Sequence, residues 1–249
     1  MASFAQVDMD TSISRNYRAV LDRISISARK VGRAPNAVSL IVVTKGQPLD
    51  KIQAVIEAGA QLLGENYADE GAEKIQVLAG NRGLEWHMIG HIQSRKARLV
   101  CDFFNYVHSL DSLALAEKLD RLAGELRHKL PVLLECNVSG EESKYGFPAG
   151  KEESWEVLFG TFSSILHLPN LAVRGLMTMA PYTIDPETAR PYFDRLRKLR
   201  DVLKGVFPQT DWSELSMGMS ADFEVAVEEG ATMVRVGEAI LGPRPKRGG

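Results

Sequence analysis

The chain has 249 residues, 32 acidic and 30 basic side chains, a formal net charge of −2, and a composition 45% hydrophobic and 25% charged. That balance suits a globular protein with ample core and gives no bulk attraction to nucleic acid or to an anionic membrane surface. Cys101 and Cys136 lack CxxC spacing, so neither a zinc ribbon nor a disulfide framework is indicated.

Residues 1–10 include Asp8 and Asp10 and lack the basic start and apolar stretch of a secretory signal. No apolar run approaches membrane-spanning length, and a cytoplasmic, reducing setting is expected. A first helix is predicted over 12–31. Short β-rich runs then alternate with amphipathic helical ones. In 38–44, Val38, Leu40, Ile41, Val42 and Val43 form a near-continuous apolar run, as in a parallel strand buried on both faces. Lys45 follows it directly. Asp50 and Gln53 have capping-box spacing at the head of a helix over 50–58, whose inward stripe is Ile52, Val55 and Ile56.

The second strand, 61–64, runs into Glu65, Asn66 and Tyr67. Asn66 either caps the helix over 66–78 or bonds a ligand oxygen. A third strand over 85–89 precedes a helix over 94–100, and a fourth over 104–108 precedes a helix over 111–127. His87 and His91 stand four apart, but the strand character of 86–89 and the break at Gly90 argue against a helical metal pair, and no metal site is expected. The fifth strand, 132–138, opens onto a polar loop holding Asn137, Ser139, Gly140, Glu141, Ser143 and Lys144, either a lid or a surface turn. After a helix over 152–166 and a sixth strand over 172–177, a helix over 187–204 carries Phe193, Leu196, Leu199, Val202 and Leu203 at helical spacing, ended by Gly205 and Pro208. Strands over 213–216 and 233–236 flank a last helix over 222–229. The basic clusters (Arg95, Lys96 and Arg98; Arg195, Arg197, Lys198 and Arg200; Lys246 and Arg247) read as solvated helix faces or a tail.

Eight βα units in about 250 residues fit a closed (β/α)8 barrel, with a doubly wound open sheet as the alternative. No linker divides the chain, so 1–249 reads as one domain with an extra N-terminal helix and an ordered core of about 10–243. Barrel sites lie at the C-terminal ends of strands, and phosphates often bind after the last two. Those exits read Ser216, Met217, Gly218, Met219, Ser220 and Arg235, Val236, Gly237, Glu238. Small and hydroxyl-bearing residues there let backbone N–H groups approach an anion. In a barrel the eighth strand neighbours the first, which brings Lys45 beside this cradle. A desolvated lysine near other cations can form a Schiff base with an aldehyde ligand. GxxxxGK[ST], G-x-S-x-G and HExxH are absent, which excludes a nucleotide P-loop.

Several stretches together resemble the YggS/PROSC family of pyridoxal-phosphate homeostasis proteins: VTKGQP at 43–48, GENYADE at 64–70, WHMIGHIQSRKARLV at 86–100, NVSGEESKYG at 137–146, RGLMTMAP at 174–181 and LSMGMS…VRVGEAILG over 215–242. The resemblance spans about 38–243. It implies a fold-type III pyridoxal-phosphate barrel, similar to the alanine racemase N-terminal domain. Lys45 would then hold pyridoxal 5′-phosphate as an internal aldimine. Ser216 and Ser220, with the backbone around Gly218, Gly237 and Glu238, would bind the phosphate. Arg235 would face the pyridine nitrogen, and Asn66 would lie near the ring. An arginine keeps that nitrogen unprotonated and makes the ring a poorer electron sink, which suits holding the cofactor. The family often has threonine or serine where Glu238 stands, so only the Glu238 backbone is expected to face the ligand.

The expectation is therefore a monomeric carrier without catalytic residues, with apo pyridoxal-phosphate enzymes as possible acceptors. An amino-acid racemase is the alternative. It needs a second acid/base opposite the lysine, and only residues 239–249 follow the last strand, where racemases carry a further β domain. A lysine-type aldolase would want acid/base groups near its lysine, and the first strand offers none.

Overall fold

The computed structural model describes residues 4–244; the basic pair Lys246 and Arg247 lies outside them. Helix α1 (Phe4–Lys30) buries Ile13, Tyr17, Val20, Ile24 and Ala28, three and four residues apart, the spacing of one helix face. That face packs on α2 (Leu49–Glu57), α8 (Phe223–Glu228) and α9 (Glu238–Leu241).

The strands are β1 (Ser39–Val43), β2 (Leu62–Glu65), β3 (Glu85–Met88), β4 (Tyr106–Leu110), β5 (Leu130–Asn137), β6 (Phe147–Pro148), β7 (Leu171–Met177), β8 (Glu214–Ser216) and β9 (Met233–Val236). They are ordered β4-β3-β2-β1-β9-β8-β7-β5-β6, and a further β4–β5 pairing closes the circle. All pairings are parallel. The result is an eight-stranded α/β barrel with the two-residue β6 appended to β5. The remaining helices are α3 (Ala68–Val77), α4 (Ala97–Phe103), α5 (Leu113–Glu125), α6 (Glu156–Leu166) and α7 (Arg190–Val206).

A large apolar cluster lies between strands and helices, while Ile41, Tyr106, Leu133, Met177 and Met233 form a small separate one. Each of these five comes from a different strand, as expected for side chains that alternate into a barrel lumen. Two residues further along their strands come His108, Glu135 and Arg235, all buried. The lumen is thus apolar at one level and polar towards the strand ends that carry the site.

Local boundaries differ from the sequence reading for identifiable reasons. Pro48, extended at φ −73° and ψ 157°, starts α2 at Leu49 and puts Asp50 inside the first turn. Asp50 then accepts from the Lys51 N–H at 2.8 Å and Gln53 bonds Glu57 at 3.0 Å, so no capping box forms. Helix α4 continues to Phe103 because Val100, Cys101 and Phe104 stay on the buried face begun by Ala97, and β4 starts at Tyr106 rather than at 104. In α7, Phe193, Leu196, Leu199 and Leu203 are fully buried, but Val202 turns outward. Tyr67 stands at the N-cap of α3, so Asn66 does not cap it.

Candidate functional site

A cavity of about 360 Å³ opens at the C-terminal ends of the strands, lined in part by Lys45, Asn66, Ser220, Arg235, Gly237 and Glu238. These six sequence-predicted residues come from the exits of β1, β2, β8 and β9. Gly237 is required by close approach: a Cβ there would lie 2.9 Å from the Val43 carbonyl oxygen on the neighbouring strand. Glu238 is exposed at the rim. The turn from Met219 to Asp222 is closed at its ends, with the Asp222 carboxylate accepting the Met219 N–H at 2.6 Å and the Met219 carbonyl accepting the Asp222 N–H at 3.1 Å. Its middle residues, Ser220 and Ala221, line the cavity.

Two predicted phosphate residues do not line it. Ser216 is fully buried, because strand alternation turns it into the barrel lumen beneath the cavity. Gly218, at φ +94°, packs against α8, where a Cβ would meet Ala226 Cβ at 2.6 Å. Both bond Arg235: the Gly218 carbonyl accepts the Arg235 N–H at 3.0 Å, and Ser216 Oγ accepts from Arg235 Nη1.

Arg235 Nη2 also donates to the Thr178 carbonyl at 2.8 Å. Burial pulls the guanidinium down to about 10, opposed by Glu135 and Asp222, and it stays charged at neutral pH. Behind it runs a chain of hydrogen bonds, Ser216 Oγ to His108 Nδ1 at 2.8 Å and His108 Nε2 to His87 Nδ1 at 2.8 Å. Burial pushes His87 down to about 4 and His108 well below the usual imidazole value, so both rings are neutral. Arginine can only donate, so Ser216 Oγ accepts from Arg235, while the donor and acceptor roles along His108 and His87 follow the tautomers of the two rings. Tyr106 stacks on His87 at 5.2 Å between ring centres and bonds Glu214.

Lys45 is half-buried, and its amine is pulled below the usual lysine value by desolvation, then by Arg244, with Glu65 opposing and Arg235 adding to the fall. A lowered lysine is more often a free amine, the nucleophilic form. Arg244 and Gln47 also line the cavity and are absent from the sequence reading. They arrive through main-chain ties, since Lys51 Nζ donates to the Leu241 carbonyl at 2.7 Å and Gln47 Nε2 to the Gly242 carbonyl at 2.9 Å. No local signal marks such contacts between chain regions so far apart.

The polar loop after β5 is an ordered turn. Asn137 Nδ2 donates to the Glu141 carbonyl at 2.8 Å, Asn137 Oδ1 accepts from Gly140 N–H at 2.9 Å, and Lys144 Nζ reaches the Met179 carbonyl at 3.2 Å. Next to it Tyr145 stacks on His91, which bonds Asp111 at 2.8 Å; His87 and His91 therefore serve different neighbourhoods.

The donor set fits an anionic, aldehyde-bearing ring compound. It offers an amine, a guanidinium and a serine hydroxyl, and among the described residues Asn66 Oδ1 and Gln47 Oε1 are buried without a hydrogen-bond partner. Buried acceptors left open in this way call for a donor from a ligand or water.

The family described as "Alanine racemase, N-terminal domain" matches residues 17–245. A pyridoxal phosphate homeostasis protein of Vibrio alginolyticus is 40% identical over 239 residues, covering 94% of this chain and 98% of the relative. Among solved structures, PipY of Synechococcus elongatus PCC7942 with PLP bound is 34% identical, covers 90% of this chain and 100% of that one, and superposes with a TM-score of 0.77. The alanine racemase of Clostridium difficile 630 is 18% identical with a TM-score of 0.67, covering 93% of this chain and 57% of that one, and shares the fold alone.

Proposed function

The chain belongs to the family of pyridoxal phosphate homeostasis proteins, built on the alanine racemase N-terminal domain, and from that premise we propose that it holds pyridoxal 5′-phosphate through Lys45 and stores or delivers it without turning over a substrate. The observation that carries this reading is the convergence of Lys45, Asn66, Ser220 and Arg235 from four strand exits onto one cavity. The cofactor supplies an aldehyde carbon, to which an amine adds with loss of water.

The chain's own groups divide the rest of the work. Lys45, with its lowered amine, is the covalent anchor. Ser220 and the backbone of Gly237 and Glu238 hold the phosphate at the β8 and β9 exits. Arg235 presents its charge to the pyridine nitrogen, oriented by Ser216 and Thr178. Asn66 gives its open carbonyl oxygen to a donor on the ring or its substituents.

Two features favour holding over turnover. The relative matched along almost its whole length carries a homeostasis name. Tyr182, the one tyrosine lining the cavity among the described residues, is 86% exposed, and an exposed phenol is not held in place to return a proton opposite the lysine. One domain, a monomer, a cytoplasmic setting and apo-enzyme acceptors complete the reading. No helix among the described residues is long and apolar enough to cross a membrane.

The test is titration with pyridoxal phosphate. The wild type gains a visible absorbance band and Lys45→Ala does not. A normal band in Lys45→Ala defeats the anchor assignment, and amino-acid racemisation on the order of 1 s⁻¹ or faster defeats the carrier reading.

A further inference from the structure

One ion cluster, buried at Lys74 and Glu65 and partly exposed at Glu70, grips the chain on both sides of Lys45. Lys74, on α3 and 7% exposed, donates from Nζ to the Thr44 carbonyl oxygen, to Glu65 Oε1 and to Glu70 Oε1, each at 2.6 Å. Three bonds use the three protons of an ammonium. Glu65, fully buried at the end of β2, also accepts from Thr44 Oγ1 at 2.7 Å. Glu70 Oε1 accepts the Gly46 N–H at 2.6 Å. The residue before Lys45 is thus tied at its carbonyl and its hydroxyl, and the residue after it at its amide. None of the three ions lines the cavity.

As packing alone this arrangement is a poor choice. Burying charges costs several kcal/mol per ion before their attraction is counted, and apolar residues of similar volume often serve a strand–helix contact as well or better. The second oxygen of Glu65 has no partner among the described residues, which adds to the cost. What the ions provide, and apolar side chains do not, is direction. Each bond ends on a named main-chain or hydroxyl atom next to Lys45.

We propose that Lys74, Glu65 and Glu70 are positioning residues that hold the 44–46 main chain so that the Lys45 amine meets the ligand's aldehyde carbon in one orientation. The inference rests on the pyridoxal-phosphate reading of the cavity. The cluster acts on covalent capture and leaves the phosphate and ring contacts, made from β8, β9 and Asn66, as they are.

Two ligands separate these effects: pyridoxal 5′-phosphate, and 4-deoxypyridoxine 5′-phosphate, which keeps the ring and phosphate but has no aldehyde. Glu70 is partly exposed, so its variants are the first choice, with melting temperature as the check on folding. In Glu70→Ala the rate of covalent capture falls about tenfold or more, as expected when a reacting group is misplaced. Affinity for the deoxy compound stays within about twofold of wild type, because its contacts are untouched. Glu70→Gln keeps an acceptor for the Gly46 N–H and recovers most of the capture rate. Lys74→Arg is expected to retain more capture than Lys74→Met; if Lys74→Met does not fold, the Glu70 pair decides alone. An unchanged capture rate in Glu70→Ala overturns the proposal, and so do equal losses for both ligands or a Glu70→Gln no better than Glu70→Ala. If the wild type binds the deoxy compound but never captures the aldehyde, or binds neither, the cofactor reading itself falls.

Discussion

At Lys45 the local charges compete. Desolvation, Arg244 and Arg235 lower the amine, and Glu65 raises it. The rate of covalent capture plotted against pH is therefore predicted to inflect below the ordinary lysine value of 10.5. Removing a lowering cation must move the inflection up, so Arg244→Gln should capture more slowly at pH 7; a stopped-flow pH series with no displacement would show that Arg244 does not act on Lys45. Arg235→Glu places a carboxyl that can share a proton with the pyridine nitrogen. A red-shifted band and at least about tenfold weaker binding are expected from the loss of a charged hydrogen-bond donor, and an unchanged spectrum and affinity would show that Arg235 does not touch the ring. Lys45, Asn66, Ser220, Arg235 and Gly237 are legible as cavity-lining residues because each stands at a strand end in a recognisable motif. Ser216 stands in the same motif, yet the motif does not report depth, and alternation sends its hydroxyl to His108 and Arg235. Glu70 and Lys74, four apart on one helix, carry a spacing signal for a pair, but only the fold reveals that Thr44 and Gly46 are its targets.

Among the elements, periodicity gave the strands and helices their order, while their ends were decided by contacts. Phe104 has strand propensity but completes the buried face of α4, and tertiary packing overrides the local preference. Helix α9, four residues long, is too short to show a period. The first helix expected over 12–31 begins earlier, at Phe4, its buried stripe runs from Ile13 to Ala28, and its role is testable. Ile24 is 2% exposed, and Ile24→Ala should cost about 2–5 kcal/mol in denaturant unfolding. Because α1 packs behind α2, α8 and α9, the folded variant should keep its cofactor band. A loss below about 1 kcal/mol would mean that α1 is not docked as described.

For the whole molecule, the polar lumen makes stability depend on pH. Burial, with Asp111 adding and Arg235 opposing, pushes Glu135 up from 4.5 to about 7. The folded state then holds a proton that the unfolded chain has already released. The stability this group contributes is present below about pH 4.5 and is lost as the pH rises through about 7. Over that window the loss is about 3 kcal/mol. His87 and His108 work in the opposite sense, since their lowered values favour the fold above the usual imidazole range. Comparing wild type with Glu135→Gln isolates the carboxyl: the difference in unfolding free energy should shift against the wild type between pH 5 and pH 8, and a constant difference would contradict it.

The claim on which the rest depends is that this barrel holds pyridoxal phosphate on Lys45. The direct measurement is borohydride reduction of the loaded protein followed by peptide mapping. The label is predicted on the peptide containing Lys45. Label on Lys51, Lys74 or Lys144 instead, or spread over surface lysines with none on Lys45, would contradict the account.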